Sequence, residues 1–289
     1  MRFPKSLAIC FLLLTSSITP AHAATSIIWD SATKIDGVVT IAAGEVVTVA
    51  AKTTINVAEG SKIVVAGTLI APSGLVFSGK NWEGLEITGL AQLTDFKMSG
   101  AQTSFLVTPT GRLELRGAQI SGVRGTSIVE GVLVANNLKY DKGDGAGIQS
   151  SGGKGVISID QSILTGSGRS SGDFFSLSGL KSISLTNSKM SGAHCAFHVT
   201  GVESMILKNN YIFDNAYGFM MYGSSKLGSR KISQTTITKN NFGFDEGSAS
   251  TRNGPITITE SFIKGNEKNF GLFTGKVKIS NPLLKNPRR

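Results

Sequence analysis

Nine segments of the chain repeat one short pattern, and this repeat restricts the possible folds more than any other feature. Each segment has two apolar residues separated by one residue. A polar residue follows two positions after the second apolar residue, and another apolar residue follows five positions after that same residue. The second apolar residues are Leu93, Leu115, Val134, Ile159, Leu185, Leu207, Ile232, Ile258 and Ile279. They follow one another at steps of 19 to 26 residues. Strand-like segments at such a period are typical of a solenoid that adds one coil per repeat.

The two-residue spacing within each repeat indicates strands whose apolar side chains point inward. Eight of the nine residues that lie two positions before these markers are apolar. The column five positions after the markers is also apolar, and Lys139 is its one exception. A further row, Phe197, Phe219 and Phe244, is expected to stack inside the coils.

The polar residues two positions after the markers fit a sharp bend between two strands. Asparagine tolerates the left-handed backbone that such a bend requires. Stacked coils lie about 4.8 Å apart, so amides of successive coils can form hydrogen bonds with one another. We therefore predict a structural ladder, rather than a catalytic row, formed by Asn136, Asn187, Asn209 and Asn281.

The N-terminal part of the solenoid shows a shorter spacing. Val39 and Ile41 recur as Ile55 and Val57 after 16 residues. Residues 24–37, which include Trp29, are predicted to cap the open end of the stack, as terminal units of solenoids do. The glycine-rich stretch 166–172 is one of the segments expected to protrude as a loop.

Residues 1–23 have the features of a bacterial export signal. Arg2 and Lys5 precede a short apolar run, and Ala21-His22-Ala23 offers the small residues that a signal peptidase needs. We expect one mature domain, residues 24–289, in the periplasm or outside the cell. No other apolar run reaches the length of about 18 residues that a membrane helix needs, so no transmembrane segment is expected after signal removal.

Positive charge is concentrated in the C-terminal third. Residues 24–202 contain 14 Lys and Arg against 13 Asp and Glu, whereas residues 203–289 contain 13 against 6. The basic last coil and tail, residues 276–289, carry five of these cations. Such an end favours contact with anionic polymers or surfaces. An alternative interpretation is that the charges discourage edge-to-edge strand pairing.

Two runs resemble known β-helix proteins. Val38-Val39-Thr40-Ile41 to Gly67-Thr68-Leu69-Ile70, with Trp82-Glu83-Gly84-Leu85-Glu86-Ile87, resembles the opening coils of bacterial right-handed parallel β-helices. The run from Asn209 to Phe219 is similar to the repeat of the pectin-lyase-like superfamily. The resemblance implies an all-β fold, a single-stranded right-handed parallel β-helix solenoid. It leaves activity open, because that superfamily contains lyases, hydrolases, epimerases, adhesins and inert scaffolds.

The candidate catalytic residues are few. Hydrolases of the superfamily use two or three aspartates on adjacent coils, and no such column of acids is present in the sequence. If the protein is an enzyme, the first candidates are Asp245, His198 and Lys231. Calcium would be expected only if it is a lyase, and otherwise no cofactor is expected.

The cluster around Cys195 invites a metal interpretation that the spacing disfavours. His194 and His198 would lie about 13 Å apart on a strand, too far to share one ion. Cys195 shares inward parity with Phe197, so we interpret it as a small buried hydrophobe and predict no metal site.

A stripe of small residues suggests a strip of exposed backbone on the outer surface. Ala196, Gly218, Gly243 and Gly271 occupy corresponding positions that we interpret as outward-facing. The ligand-binding candidates near this strip are Lys208, Tyr222, Met220 and Phe273. Concave surfaces of mixed polarity are candidate binding sites for an extended glycan.

The favoured interpretation is an exported, non-catalytic binding or surface-interaction module for an anionic polysaccharide or cell-envelope component. The first alternative is a carbohydrate-active enzyme, a lyase or hydrolase, acting along a lateral face. The second is a structural scaffold without a ligand. Nucleic acid is not expected as a partner, because export removes it and the aromatic residues are predicted to point inward.

Overall fold

The computed structural model describes residues 26–143, 145, 147–221, 229–245 and 256–272, and the backbone of 278–280. Regular structure in these ranges consists of strands, and none of it is helical. The strands in the N-terminal half are β1 Ser26–Trp29, β2 Lys34–Ile35, β3 Val38–Ile41, β4 Val46–Val49, β5 Thr54–Val57, β6 Lys62–Val65, β7 Thr68–Ala71, β8 Val76–Trp82, β9 Gly84–Ile87, β10 Leu90–Thr94, β11 Lys97–Ala101, β12 Phe105–Val107, β13 Arg112–Arg116, β14 Gln119–Ser121, β15 Ser127–Val129, β16 Val132–Asn136 and β17 Lys139–Asp141. Those in the C-terminal half are β18 Ile148–Ser150, β19 Gly155–Asp160, β20 Ile163–Thr165, β21 Phe175–Leu177, β22 Leu180–Thr186, β23 Lys189–Ser191, β24 Cys195–Val199, β25 Val202–Lys208, β26 Tyr211–Phe213, β27 Tyr217–Met221, β28 Arg230–Ser233, β29 Thr236–Thr238, β30 Phe242–Asp245, β31 Ile256–Thr259, β32 Phe262–Ile263, β33 Lys268–Phe270 and β34 Lys278–Ser280.

The strands form three parallel sheets because each coil supplies one strand to each sheet. The first sheet contains β1 and every third strand through β34, the second sheet runs in the same way from β2 to β32, and the third from β3 to β33. They have 12, 11 and 11 strands. The predicted all-β parallel solenoid is therefore confirmed.

The register of the first sheet confirms most of the repeat and corrects one coil. Leu93 pairs with Leu115, and the column continues through Ile159, Leu185, Leu207, Ile232, Ile258 and Ile279. Leu115 pairs with Ala135, however, so the choice of Val134 was wrong by one residue. Residues 132–135 are all apolar, and either parity fits them. With the corrected register, buried Tyr140 takes the inward place assigned to Lys139.

The N-terminal coils have the same three-strand form as the others. Val39 pairs with Ile63, and Ile55 pairs with Phe77. The 16-residue spacing is therefore not a coil length, because it relates strands of different sheets. Within the segment predicted as a cap, β1 and β2 pair with β4 and β5, so this segment forms part of the first turn of the stack.

Two of the corners between sheets are lined by residues with a left-handed backbone. The predicted bend lies between the first and second sheets, and its left-handed residues are Lys52, Gly74, Asp95, Gly117, Asn137, Gln161, Asn187, Asn209, Gln234 and Glu260. Asn137, not Asn136, takes this place in its coil. The corner between the second and third sheets has a corresponding line, which includes Gly192, Asp214, Lys239 and Gly265.

Aliphatic and aromatic rows fill the interior of the coils. The predicted phenylalanine stack is confirmed, and Phe175 extends it by one coil. Successive ring centroids from Phe175 through Phe197 and Phe219 to Phe244 lie 5.1, 5.8 and 5.1 Å apart, and all four rings are buried. The interior side chains thus repeat from coil to coil, and the outward side chains at matching positions are left to form continuous surfaces.

Candidate functional site

Outward aromatic side chains distinguish the C-terminal coils of the second sheet. Tyr211 and Phe213 flank buried Ile212 on β26, and strand alternation places both rings outside. Their centroids lie 4.7 Å apart. Tyr211 pairs with Thr236, which pairs with Phe262 two coils further on. Partly exposed aromatic side chains therefore lie at corresponding positions along this side of the stack.

Lysines lie beside these aromatic rings. Lys264 places its Nζ atom 5.0 Å from the ring centroid of Phe262. Around the corner, on the third sheet, the rings of Tyr217 and Phe242 stack at 4.7 Å with 6° between their planes. Lys268 places its Nζ atom 5.3 Å from the ring of Phe242. We call this surface, formed by Tyr211, Phe213, Tyr217, Phe242, Phe262, Lys264 and Lys268, the aromatic–lysine face.

Arg169 braces the corner beside the aromatic–lysine face. Its guanidinium donates to Asp214 Oδ1 at 3.1 Å, to Asn241 Oδ1 at 2.5 Å and to the Lys239 carbonyl at 2.8 Å. These contacts hold part of the glycine-rich stretch 166–172 against later coils. They also form one wall of a cavity of about 510 Å³, lined in addition by Phe213, Lys239 and Glu267.

The third sheet contains a second polar cluster, centred on Asp173. The Oδ1 atom of Asp173 lies 3.1 Å from His194 Nδ1, and its Oδ2 atom lies 2.7 Å from His198 Nδ1. The backbone N–H of Cys195 also donates to Oδ1, at 3.2 Å. Asp173 therefore connects the two histidines that the sequence leaves separate.

The surroundings keep the Asp173 carboxylate charged. Burial favours the neutral acid, but hydrogen bonds from His198, His194 and Cys195 outweigh it and lower the pKa of Asp173 to about 2. Burial in turn raises the pKa of the Cys195 thiol far above its ordinary value, and the negative charge of Asp173 raises it further. A thiol that stays protonated is a poor nucleophile. Cys195 is buried, as predicted, but its Sγ atom lies 3.4 Å from His194 Nδ1. The thiol therefore borders this polar cluster, and its interpretation as a small hydrophobe of the interior was wrong.

The catalytic candidates do not converge on one site. Asp245 pairs with Met220 in the third sheet, and Met220 pairs with His198, so Asp245 and His198 lie two coils apart. Asp245 accepts a hydrogen bond from the Leu272 N–H at 3.1 Å. Lys231 lies on the first sheet, between Ile206 and Thr257.

The ligand-binding candidates are likewise divided between sheets. Lys208 is exposed on the first sheet, whereas Met220 belongs to the third sheet and is 7% exposed. Tyr222 and Phe273 lie outside the described residues. Lys208 and Met220 therefore do not belong to one binding surface.

The small-residue stripe was assigned to the wrong side of the backbone. Ala196, Gly218 and Gly243 are buried. A Cβ atom on Gly218 would lie 2.5 Å from Ile237 Cγ2, and one on Gly243 would lie 2.6 Å from Asn266 Nδ2. These residues are small because the neighbouring corner packs against them, and they offer no strip for a glycan.

The predicted ladder residues make contacts on the outside of the bend. Asn209 donates to Asn187 Oδ1 at 2.8 Å, and Asn187 donates to Asp160 Oδ1 at 2.7 Å. Asn136 donates to Asp160 Oδ2 at 3.2 Å from its neighbouring position on β16. Asn281 lies outside the described residues. A second asparagine ladder, which was not predicted, links Asn215, Asn240 and Asn266 at the corner between the second and third sheets, where Asn215 and Asn240 are buried.

Three features of the site were missed from sequence. Tyr211 and Phe213 could have been found, because the inward column already contains Ile212 and alternation sends its neighbours outward. Asp173 and Arg169 gave no such signal. Both lie in or beside an irregular stretch between coils, where periodicity does not place side chains.

Fold and register together define a parallel β-helix with polar and aromatic clusters on its lateral surfaces. Residues 116–281, more than half of the chain, match the family described as right handed beta helix region. The chain therefore belongs to this β-helix family. No curated protein and no solved structure matches it. Among the described residues, no helix is long or apolar enough to cross a membrane.

Proposed function

We propose that this protein is an exported, non-catalytic binding module that contacts an anionic polysaccharide through the aromatic–lysine face. The polymer belongs to the cell envelope or to the surroundings of the cell. The observation that carries the proposal is the combination, on adjoining coils, of outward aromatic rings with lysines that lie over two of them.

Each component of the face suits a charged sugar polymer. Aromatic rings offer broad apolar surfaces, and sugar rings present apolar C–H faces that can stack on them. Lysine ammonium groups attract carboxylate or sulfate substituents. Tyr211, Thr236 and Phe262 repeat along the stack, which favours an extended ligand that crosses several coils.

The distribution of charge supports the same ligand. Residues 203–289 contain 13 basic and 6 acidic residues, and all residues of the aromatic–lysine face lie in this part of the chain. A glycan approaching this end would be drawn in by the field of the whole region, most strongly at low salt.

The enzyme alternative depends on a different arrangement. Glycoside hydrolysis requires two carboxyl groups within about 5 to 10 Å that flank one bond. Asp245 and His198 lie two coils apart, and Lys231, although on the same coil as Asp245, lies on a different sheet. The binding proposal needs no convergence of this kind.

Binding is tested with soluble polygalacturonate and alginate as anionic probes and with dextran as a neutral one. Isothermal titration should show binding to at least one anionic polymer that weakens as salt rises, and weaker or no binding to dextran. The double variant Tyr211→Ala/Phe213→Ala should lose about tenfold or more in affinity, because central aromatic contacts dominate many interfaces. Ile163→Ala, which truncates an exposed apolar residue on the same sheet, is the matched control and should bind normally.

Charge reversal separates the face from general basicity. Lys264→Glu/Lys268→Glu should weaken binding far more than Lys97→Glu/Lys139→Glu, which makes the same change in net charge on earlier coils. Equal losses in the two variants would refute the proposed face. Absence of binding to every anionic polymer would refute the function, and release of reducing or unsaturated sugar would replace it with the enzyme alternative.

A further inference from the structure

We propose that Asp173, Cys195 and His198 form a binding site for Zn²⁺ or a similar divalent transition metal on the third sheet. One potential ligand atom from each residue lies within 4.8 Å of those of the other two. Cys195 pairs with Tyr217 of the aromatic–lysine face, and the His194 and Tyr217 ring centroids lie 5.4 Å apart, so the two sites adjoin. None of the three ligands belongs to that face, and metal binding is tested without polysaccharide.

The donor atoms suit zinc in kind and number. Zinc binds cysteine sulfur, histidine nitrogen and carboxylate oxygen at about 2.0 to 2.3 Å, commonly with three protein ligands and one position left open. Tetrahedral bonds of this length place ligand atoms about 3.3 to 3.8 Å apart. The cluster must therefore contract by about 1 Å, which is within reach of side-chain rotation in Asp173 and His198.

The fold brings these residues together through two different routes. Cys195 and His198 lie on β24, with the thiol side chain buried and the imidazole 31% exposed. Asp173 comes from the segment that leads into β21 on the preceding coil, and its carboxylate bridges the two histidines. A metal bound here would lie between the buried thiol and the surface, where solvent provides a path of entry.

His194 is suited to a supporting role. Its Nδ1 atom lies 3.1 Å from Asp173 Oδ1 and 3.4 Å from Cys195 Sγ. A hydrogen bond to a ligating carboxylate orients that ligand and tunes its basicity. We therefore assign His194 as a positioning residue and not as one of the three ligands.

Metal binding here must release a proton. The Cys195 thiol loses its S–H proton to solvent as the sulfur–metal bond forms, because metal ions bind cysteine as the thiolate. The metal ion then lies beside the Asp173 carboxylate, whose negative charge attracts it. Zinc binding should consequently be accompanied by proton release to the buffer.

The test uses the full chain carrying Cys10→Ser, so that Cys195 is its only thiol. Addition of Co²⁺, a spectroscopic substitute for Zn²⁺, should produce a thiolate-to-metal charge-transfer band that saturates at one ion per chain. Zn²⁺ should abolish this band by competition and should raise the thermal unfolding midpoint, because it binds the folded chain preferentially.

The variants assign the ligands. Cys195→Ser should abolish the charge-transfer band, and Asp173→Asn and His198→Gln should each weaken Co²⁺ binding by more than tenfold. His194→Gln should retain the band with a smaller loss of Co²⁺ affinity, as expected of a residue that orients Asp173 without binding the ion. Ile163→Ala, an exposed position on the second sheet, is the control and should bind Co²⁺ normally. Circular dichroism of each variant without metal establishes that the β-helix has formed.

Two results would overturn the site. One is the absence of a charge-transfer band in the Cys10→Ser chain at saturating Co²⁺, a measurement that needs no variant within the cluster. The other is a band that survives Cys195→Ser or an affinity that is unchanged in His198→Gln. Either result would leave the cluster as a hydrogen-bonded support for the start of β21.

Discussion

Asn215 donates from its Nδ2 atom to Asn240 Oδ1 at 3.0 Å, linking one coil to the next inside the corner between the second and third sheets. Asn240 continues the line by donating to Asn266 Oδ1 at 2.9 Å. Asn240 Oδ1 also accepts the backbone N–H of Asn215, at 2.9 Å. These amides satisfy backbone groups that the sharp corner removes from the sheet ladders.

Replacing the middle residue of this ladder should be costly. Asn240→Leu is expected to lower the free energy of unfolding by about 3 kcal/mol, because it leaves buried donors and acceptors of neighbouring coils unsatisfied. Urea denaturation measures the change. A loss below about 0.5 kcal/mol would show that the ladder does not stabilise the corner.

The exposed bend at Asn209 should respond differently. Its backbone is left-handed, with φ of 55°. Glycine adopts this conformation readily, whereas a residue with a bulky side chain adopts it only with steric strain. Asn209→Gly should cost less than about 1 kcal/mol, since only an exposed hydrogen bond to Asn187 is lost. Asn209→Leu should cost about 1 to 2 kcal/mol more, because it adds backbone strain. If the two variants were equally stable in urea, the strain argument would fail.

The interior column at Ile212 should tolerate no charge. Ile212→Asp is expected to prevent folding of the C-terminal coils, because the carboxylate would be buried without a partner. Thr236→Asp, at an outward position on the next coil, should change stability by less than about 1 kcal/mol. Circular dichroism and urea denaturation of the pair distinguish the two faces. Equal effects would contradict the assigned parity.

Tyr140 gives the chain a dependence on alkaline pH. Burial raises the pKa of Tyr140 above its ordinary value of 10.0, against the opposing effect of hydrogen bonds with Ser104 and Ser127. The unfolded chain therefore ionises first, and above about pH 10 it binds fewer protons than the folded chain. Stability contributed by neutral Tyr140 is complete below that pH and falls as pH rises through the folded pKa.

Tyr140→Phe isolates this contribution. At neutral pH the variant should be less stable by about 1 kcal/mol, because it loses the hydroxyl contacts with Ser104 and Ser127. Its stability should fall less steeply than that of the unmodified chain above pH 10. Thermal unfolding across the alkaline range measures both slopes, and identical slopes would exclude Tyr140 as the cause.

The interior of the β-helix was accessible from sequence because its determinants are local and repeated. Inward aliphatic residues recur at fixed offsets from a residue with a left-handed backbone. This pattern predicts the register of the first sheet in every marked coil except that of Val134. The error at Val134 arose where Val132, Leu133 and Ala135 are also apolar, and the interruption of the next column by Lys139 was its visible sign. Tyr140 decides which side chains of this coil point inward. Burial of its aromatic ring is favourable, whereas burial of the charged Lys139 side chain would be costly.

The candidate sites were less accessible because they depend on contacts between coils. Asp173 approaches His198 from a segment without strand periodicity, and the chain distance between them gives no indication of contact. Arg169 meets Asp214 and Asn241 for the same reason. The outward rings of Tyr211 and Phe262 are the exception, since the repeat itself fixes their direction.

The long reach of Arg169 has a consequence for the order in which the solenoid can be completed. Its partners Asp214, Lys239 and Asn241 follow it by 45 to 72 positions in the chain. If the coils fold in order from the N-terminus, Arg169 cannot form these hydrogen bonds until the coils that contain its partners have folded. The glycine-rich stretch 166–172 can be held in place only after these later coils have formed. Protection of this stretch from proteolysis therefore reports whether the C-terminal coils have folded.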